Sequence, residues 1–142
     1  MQTTIPRPAE AVFATLSDPA TAVRIQAGTS RSELVTPPPL RTGSRLRAVR
    51  TVEGRTVDGE VEVAVCRPGK EIEYVGGAQG IKVSYRYTLK ADAAVGAEST
   101  LVTLDVTIEG SGFASLVAGI VTEALRRAEA DHLTKLRALL VS

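Results

Sequence analysis

Three residues of this chain have side chains that could exchange protons with a bound molecule. His132 is the only histidine, and histidine is the residue whose charge ordinarily changes near neutral pH. Tyr85 and Tyr87 alternate with polar residues, which predicts that both rings face the apolar side of one strand. His132 and Tyr85 are therefore candidates for acid–base catalysis, and Tyr85 and Tyr87 are candidates for contacting a ligand.

Structural roles are the alternatives for the same three residues. His132 falls near the predicted end of the last helix, where a histidine often complements the helix dipole. Buried tyrosines often fill a core while their hydroxyl groups bond to the backbone. The sequence leaves these alternatives open.

Arg50 falls in a strand pattern that places its guanidinium among apolar residues, beside Ala48 and Val52. An unpaired buried guanidinium is costly, so an inward Arg50 would pair with an acid or bind an anionic group of a ligand. A β-bulge near Gly54 would instead turn Arg50 towards solvent. We favour the outward orientation and keep Arg50 among the candidate ligand-binding residues.

The remaining reactive residues do not form a recognisable site. Asp58, Glu60 and Glu62 share one strand face opposite a row of valines, which indicates a solvated surface and no metal site. Cys66 is the only cysteine, so no intramolecular disulfide is expected, and the alternation places it on the polar side of its strand. The glycine-rich segment 76–80 precedes a strand, which favours a hairpin over a phosphate loop. We expect no cofactor.

Composition narrows the class of protein. The 142 residues contain 17 basic and 16 acidic side chains, a balance that does not favour nucleic acid as a partner. The first residues lack a secretion signal, and the longest apolar stretch, 113–121, is too short to span a bilayer. We therefore expect a cytoplasmic protein with no membrane span.

Aromatic residues make up 4% of the chain, so small aliphatic side chains must fill the interior or leave a space.

The elements that position the candidate residues begin with a short strand within residues 1–6. Apolar spacing predicts a first short helix over residues 9–16. Asp18 and Pro19 then favour the start of a second short helix, which continues to about Ile25. Both helices therefore follow the first strand directly.

Between residues 33 and 109 apolar side chains recur at every second position. This alternation predicts an antiparallel sheet with one dry face and one wet face. The residues expected to line a cavity from the dry face are Val61, Val63, Val83 and Leu104.

From residue 113 to about residue 140 the apolar spacing becomes three and four, which predicts one long helix. Charged residues, Glu129 among them, would keep one side of its second half in water. Its first half is apolar nearly all round and would line the cavity or bury against a second copy of the chain, so a homodimer is an open alternative. The lining candidates on this helix are Phe113, Leu116, Val117, Ile120, Val121 and Ala124.

The order of elements predicts a single α+β domain over residues 1–142. A curved antiparallel sheet of about seven strands would wrap around the long C-terminal helix, with the two short helices after the first strand. A cavity is expected where the sheet and the helix diverge, because small side chains leave that space unfilled.

Three segments carry a resemblance to a known family. The opening Ile5-Pro6-x-Pro8 followed by Val12-Phe13-x-x-Leu16-x-Asp18-Pro19, then Leu40-x-x-Gly43-Ser44, then Asp131-His132-Leu133-x-x-Leu136 are its matching segments. They resemble the bacterial polyketide cyclase/dehydrase and lipid transport family of the SRPBCC or START-like superfamily. The resemblance implies the helix-grip (Bet v 1-like) fold with a ligand-sized cavity, and it implies no common catalytic set.

Three functional hypotheses follow. The leading one is binding or transport of an apolar, lipid-like or polyketide-like molecule in the cavity, with Tyr85, Tyr87 and Arg50 fixing its orientation. The second is an enzyme of the polyketide cyclase, aromatase or dehydratase type, so enzymatic activity is left open. The third, implied by the resemblance, is a module that binds a protein partner, such as a chaperone co-factor or a toxin.

Overall fold

A computed structural model of the chain describes residues 1–52, 54–78, 80–92, 98–110 and 114–141. Side chains are described throughout these ranges except at 52, 78 and 114–117. None of the helices within these ranges is long and apolar enough to cross a bilayer.

One antiparallel sheet forms the framework, and its seven strands follow the order β1-β7-β6-β5-β4-β3-β2. The predicted α+β class and the seven-stranded sheet are therefore confirmed. The short first strand is not left unpaired, because it lies antiparallel to β7 at one edge. The strands are β1 (Gln2–Ile5), β2 (Thr29–Leu34), β3 (Arg45–Val52), β4 (Arg55–Arg67), β5 (Glu71–Ala78), β6 (Ile81–Ala91) and β7 (Thr100–Gly110).

Two short helices, α1 (Ala9–Leu16) and α2 (Thr21–Ile25), follow β1 as predicted. The expectation of one uninterrupted C-terminal helix is wrong in one respect. The segment is divided into α3 (Ala114–Ala128) and α4 (His132–Leu140) by a turn at 129–131. In that turn the His132 amide donates to the carbonyl of Glu129, 3.1 Å away. This hydrogen bond spans three residues, as in a 3₁₀-helix, instead of the four of an α-helix.

The apolar core fills one end of the fold. α4 packs against β1 and α2, and it buries Leu133, Leu136 and Leu140. β6 and β7 bury their alternate residues against the same core, which confirms the dry face predicted for these strands. α3 lies farther along the sheet, where it contacts β3, β6 and β7. The sheet and α3 enclose the other, less filled end.

A β-bulge in β4 corrects the prediction for Cys66. The pairing of β4 with β5 changes register between Val63 and Val65, so the alternation shifts by one residue beyond that point. Cys66 is therefore partly buried and packs against the core instead of lying on the polar side. Burial raises the pKa of its thiol, which makes it a poor nucleophile at neutral pH.

The fold predicts a large difference between two glycines that have the same backbone conformation. Gly28 and Gly54 both have φ of +78°, but a Cβ at Gly28 would lie 1.9 Å from the carbonyl oxygen of Thr51, whereas nothing lies within 4 Å at Gly54. Gly54→Ala should lower the free energy of unfolding by about 1 kcal/mol, the usual cost of a positive φ. Gly28→Ala should lower it by more than about 2 kcal/mol, since backbone must also move. Urea denaturation measures both, and equal losses would contradict the contact described.

Candidate functional site

A cavity of about 670 Å³ lies between the curved sheet, α2 and α3. This volume falls in the range of pockets that hold drug-sized molecules. Val57 and Ile120 line the cavity and remain 42% and 69% exposed, so the cavity opens to solvent between the β3–β4 hairpin and α3. Its walls are mostly aliphatic, with Leu46, Ala48 and Leu125 among them.

Most of the predicted lining residues lie where the sequence places them. Val63 and Leu104 are exceptions, because both are buried in the core and do not line the cavity. Phe113 and the side chains of Leu116 and Val117 lie outside the described residues. The predicted residues that do line the cavity are Arg50, Val61, Val83, Tyr85, Tyr87, Ile120, Val121 and Ala124.

Arg50 points inward, so the predicted bulge that would turn it to solvent is wrong. β3 pairs with β4 in unbroken register from Arg45 to Val52, and no residue is inserted within these paired stretches. The Arg50 side chain is only 17% exposed. Its Nη2 lies 2.9 Å from Oε1 of Glu129, its Nη1 donates to the Tyr85 hydroxyl at 2.7 Å, and its Nε donates to the carbonyl of Ala27 at 3.0 Å. The acid that an inward arginine requires is thus Glu129.

Glu129 corrects a second prediction. The sequence places it on the wet side of the last helix, yet it is 1% exposed. The turn at 129–131 directs its carboxylate inward, where Oε1 also accepts a hydrogen bond from the Ala27 amide at 2.9 Å. One signal in the sequence could have identified it: Glu129 lies four residues after Leu125 and three before His132, on the stripe that faces the interior.

His132 is the first residue of α4 and is fully buried, so the expected role at a helix C-terminus is wrong. Its Nδ1 bonds to Oε2 of Glu129, and its Nε2 bonds to the Tyr87 hydroxyl at 2.6 Å. Its ring also lies 5.8 Å from the ring centres of both Tyr85 and Tyr87. His132 does not line the cavity itself, whereas the two tyrosines that its ring contacts do.

The tyrosines at this end of the cavity are neutral phenols. Burial raises the pKa of Tyr85, and the charge of Arg50 only partly opposes that rise. Burial raises the pKa of Tyr87 still more clearly. The cavity wall therefore carries two hydroxyl groups backed by a buried glutamate, through Arg50 at one tyrosine and through His132 at the other. Such an arrangement can orient an oxygen-bearing molecule and can pass a proton along hydrogen bonds.

Among the residues that the structure describes, no group of three or more histidine, cysteine, aspartate or glutamate side chains could hold a metal ion. Glu60 and Asp58 instead form ion pairs on the exposed face, with Arg45 at 3.3 Å and Arg47 at 2.9 Å.

Comparison with known proteins places the whole chain in a family context. A family model described as "Polyketide cyclase / dehydrase and lipid transport" matches residues 1–141. A search of curated proteins finds no match to the sequence.

Solved structures share the fold at low sequence identity. Ara h 8.0201 is 17% identical with a TM-score of 0.72, over 99% of this chain and 95% of that one. The Zhui aromatase/cyclase from a Streptomyces species is 19% identical with a TM-score of 0.69, over 99% and 90%. A conserved protein from Geobacillus kaustophilus is 16% identical with a TM-score of 0.72, over 98% and 91%. At such identities the likeness extends to the fold and the helix-grip arrangement.

The buried ion pair predicts a large loss of stability when its acid is neutralised. Glu129→Gln leaves the guanidinium of Arg50 without its counter-charge, and should lower the free energy of unfolding by about 3 kcal/mol. Glu123→Gln removes an exposed pair with Arg126 from the same helix, and should change it by less than about 0.5 kcal/mol. Urea denaturation compares the two. If both variants lose the same small amount, the Arg50–Glu129 pair contributes no more than a surface contact.

Proposed function

Because the chain belongs to the polyketide cyclase/dehydrase and lipid transport family, we propose that it binds an apolar small molecule in the cavity between its sheet and α3. The observation that carries the proposal is a cavity of about 670 Å³ with aliphatic walls and one polar end. An opening beside exposed apolar side chains gives a ligand a route to this space. The proposed ligand is lipid-like or polyketide-like.

Desolvation would supply most of the binding free energy. Each Å² of apolar surface removed from water contributes about 25 cal/mol, so burying roughly 300 Å² on a ligand contributes about 7.5 kcal/mol before the costs of association. Ala48, Gly76 and Ala124 line the cavity with small side chains or none, which leaves room for such a molecule. Tyr85, Tyr87 and Arg50 would fix its orientation at the polar end.

A second candidate is an acid–base enzyme of the cyclase or dehydratase type, and the Glu129–His132–Tyr87 chain favours it. Tyr87 could take a proton from a bound molecule while giving its own proton to Nε2 of His132. The carboxylate of Glu129 would then stabilise the imidazolium.

The open cavity gives less support to the third hypothesis, a module for a protein partner. A cytoplasmic location, no nucleic-acid partner and a homodimer stay predictions from the sequence.

Filling the cavity should abolish binding. Ala48 faces the cavity from β3, so the ring of Ala48→Phe would occupy part of the space that a ligand needs. We expect the Kd for the neutral fluorescent probe N-phenyl-1-naphthylamine to rise at least tenfold. The matched control is Val49→Phe, the next residue of the strand, which lies on the opposite face. Fluorescence titration measures both, and unchanged binding in Ala48→Phe would contradict the proposal.

The enzymatic candidate predicts proton exchange on a bound ketone. In D₂O the protein should accelerate deuterium incorporation at the carbon next to the carbonyl of 1-tetralone, followed by NMR. Tyr87→Phe should remove the acceleration, because it breaks the connection to His132. Val49→Phe should retain it. If 1-tetralone binds but deuterium incorporation is not accelerated, the enzymatic candidate is contradicted and only the carrier function remains.

A further inference from the structure

We propose that the inner end of the cavity recognises a neutral, apolar molecule that carries a carbonyl group and a separate hydroxyl group. The carbonyl would accept a hydrogen bond from Tyr85, and the hydroxyl would donate one to Tyr87. The inference rests on the proposed binding function and names its ligand class. It follows from the directions that the buried hydrogen bonds impose on the two phenols.

The carboxylate of Glu129 can only accept hydrogen bonds. Its Oε1 accepts from the Ala27 amide and from the guanidinium of Arg50, both at 2.9 Å. The guanidinium of Arg50 is permanently charged and forms an ion pair with this carboxylate. The other carboxylate oxygen, Oε2, therefore accepts from Nδ1 of His132.

The protonation of His132 determines the direction of its hydrogen bond to Tyr87. With the proton on Nδ1 and the ring neutral, Nε2 is an acceptor. The Tyr87 hydroxyl, 2.6 Å away, must then donate to Nε2. The proton of Tyr87 is thereby committed, and because Tyr87 lines the cavity, a ligand that reaches its oxygen would meet a lone pair.

Tyr85 has the opposite hydrogen-bonding role to that of Tyr87. Its hydroxyl oxygen lies 2.7 Å from Nη1 of Arg50, and a guanidinium has no acceptor, so the oxygen of Tyr85 must accept. The proton of Tyr85 remains available. The two phenols thus present one donor and one acceptor to a ligand.

Charge balance excludes an acidic head group as the preferred partner. Arg50 is neutralised by Glu129, so it offers no unpaired cation to a carboxylate or phosphate. The other charged residues beside the cavity within the described part of the chain are Asp18, Arg55 and Glu60, and their side chains are exposed. A buried anion would therefore lose its hydration without a compensating charge.

The two phenols belong to different residues of the same strand. Tyr85 and Tyr87 are two residues apart on β6, so their Cα atoms stand about 7 Å apart. A ligand whose carbonyl and hydroxyl lie at separate positions of a ring system can reach one phenol with each group.

The protonation of His132 is directly measurable, and as the only histidine it gives one set of signals. A long-range ¹H–¹⁵N correlation spectrum of the labelled protein at pH 7 should show a protonated Nδ1 and an unprotonated Nε2. A proton on Nε2 would force Tyr87 to accept from His132, and that result would overturn the inference.

A ligand series tests the polarity in binding. The compounds are 6-hydroxy-1-tetralone with both groups, 1-tetralone, 5,6,7,8-tetrahydro-2-naphthol, and 5,6,7,8-tetrahydro-2-naphthoate as the anion. Each competes with N-phenyl-1-naphthylamine. The compound with both groups should bind about tenfold tighter than either compound with one, the usual worth of a well-formed buried hydrogen bond. The anion should bind most weakly.

Conservative variants assign each preference to one phenol. Tyr85→Phe should lose the advantage of the carbonyl and keep that of the hydroxyl, and Tyr87→Phe should do the reverse. Thr122→Val is the control for removing a hydroxyl group, because Thr122 does not line the cavity and donates to the carbonyl of Ala118 at 2.7 Å, and it should keep both preferences. Urea denaturation verifies that each variant is folded.

The outcomes separate the inference from the proposed function. If the probe binds and the three neutral compounds have equal affinities, the inference is overturned and the binding function stands. If neither the probe nor any of the four compounds binds the folded protein, both are overturned.

Discussion

The buried carboxylate of Glu129 constrains the arrangement of this molecule. Glu129 is almost completely removed from water, and a buried charge is tolerated only when it is paired and its oxygens are satisfied. Arg50 of β3, the Ala27 amide after α2 and His132 of α4 supply those partners. Three distant parts of the chain must therefore meet at one point, and the turn that divides the C-terminal segment lies there.

This point is also the boundary between the filled and the open halves of the fold. On one side α4, β1 and α1 close over a packed core that includes Leu136 and Val12. On the other side α3 and the sheet enclose a cavity that opens to solvent beside Ile120. An open cavity forgoes the apolar contacts that a filled core would make. The polar network gives that cavity a fixed inner end, which a purely aliphatic space would not have.

The contents of the cavity must be taken from this chain's own residues, because the three solved structures named above share only 16–19% identity with it. Identities of that size show a shared fold alone. They do not show that the side chains lining the cavity are shared. Here the cavity wall combines aliphatic side chains with two phenols whose hydrogen bonds are directed by one ion pair. The same network that orders the interior thus determines the polarity that a ligand would meet.

The sequence by itself determined the class of fold, because alternation and helical spacing are local patterns that each strand and helix displays independently. It also determined that Tyr85 and Tyr87 share the dry face, since the prediction needs only the parity of β6. It did not determine the inward orientation of Arg50, the burial of Glu129 or the shifted position of Cys66. Periodicity indicates neither where a bulge falls nor where a helix turns. The tertiary structure decided these features, because the Arg50–Glu129 pair joins residues 79 positions apart and forms only when the sheet and the last two helices are packed together.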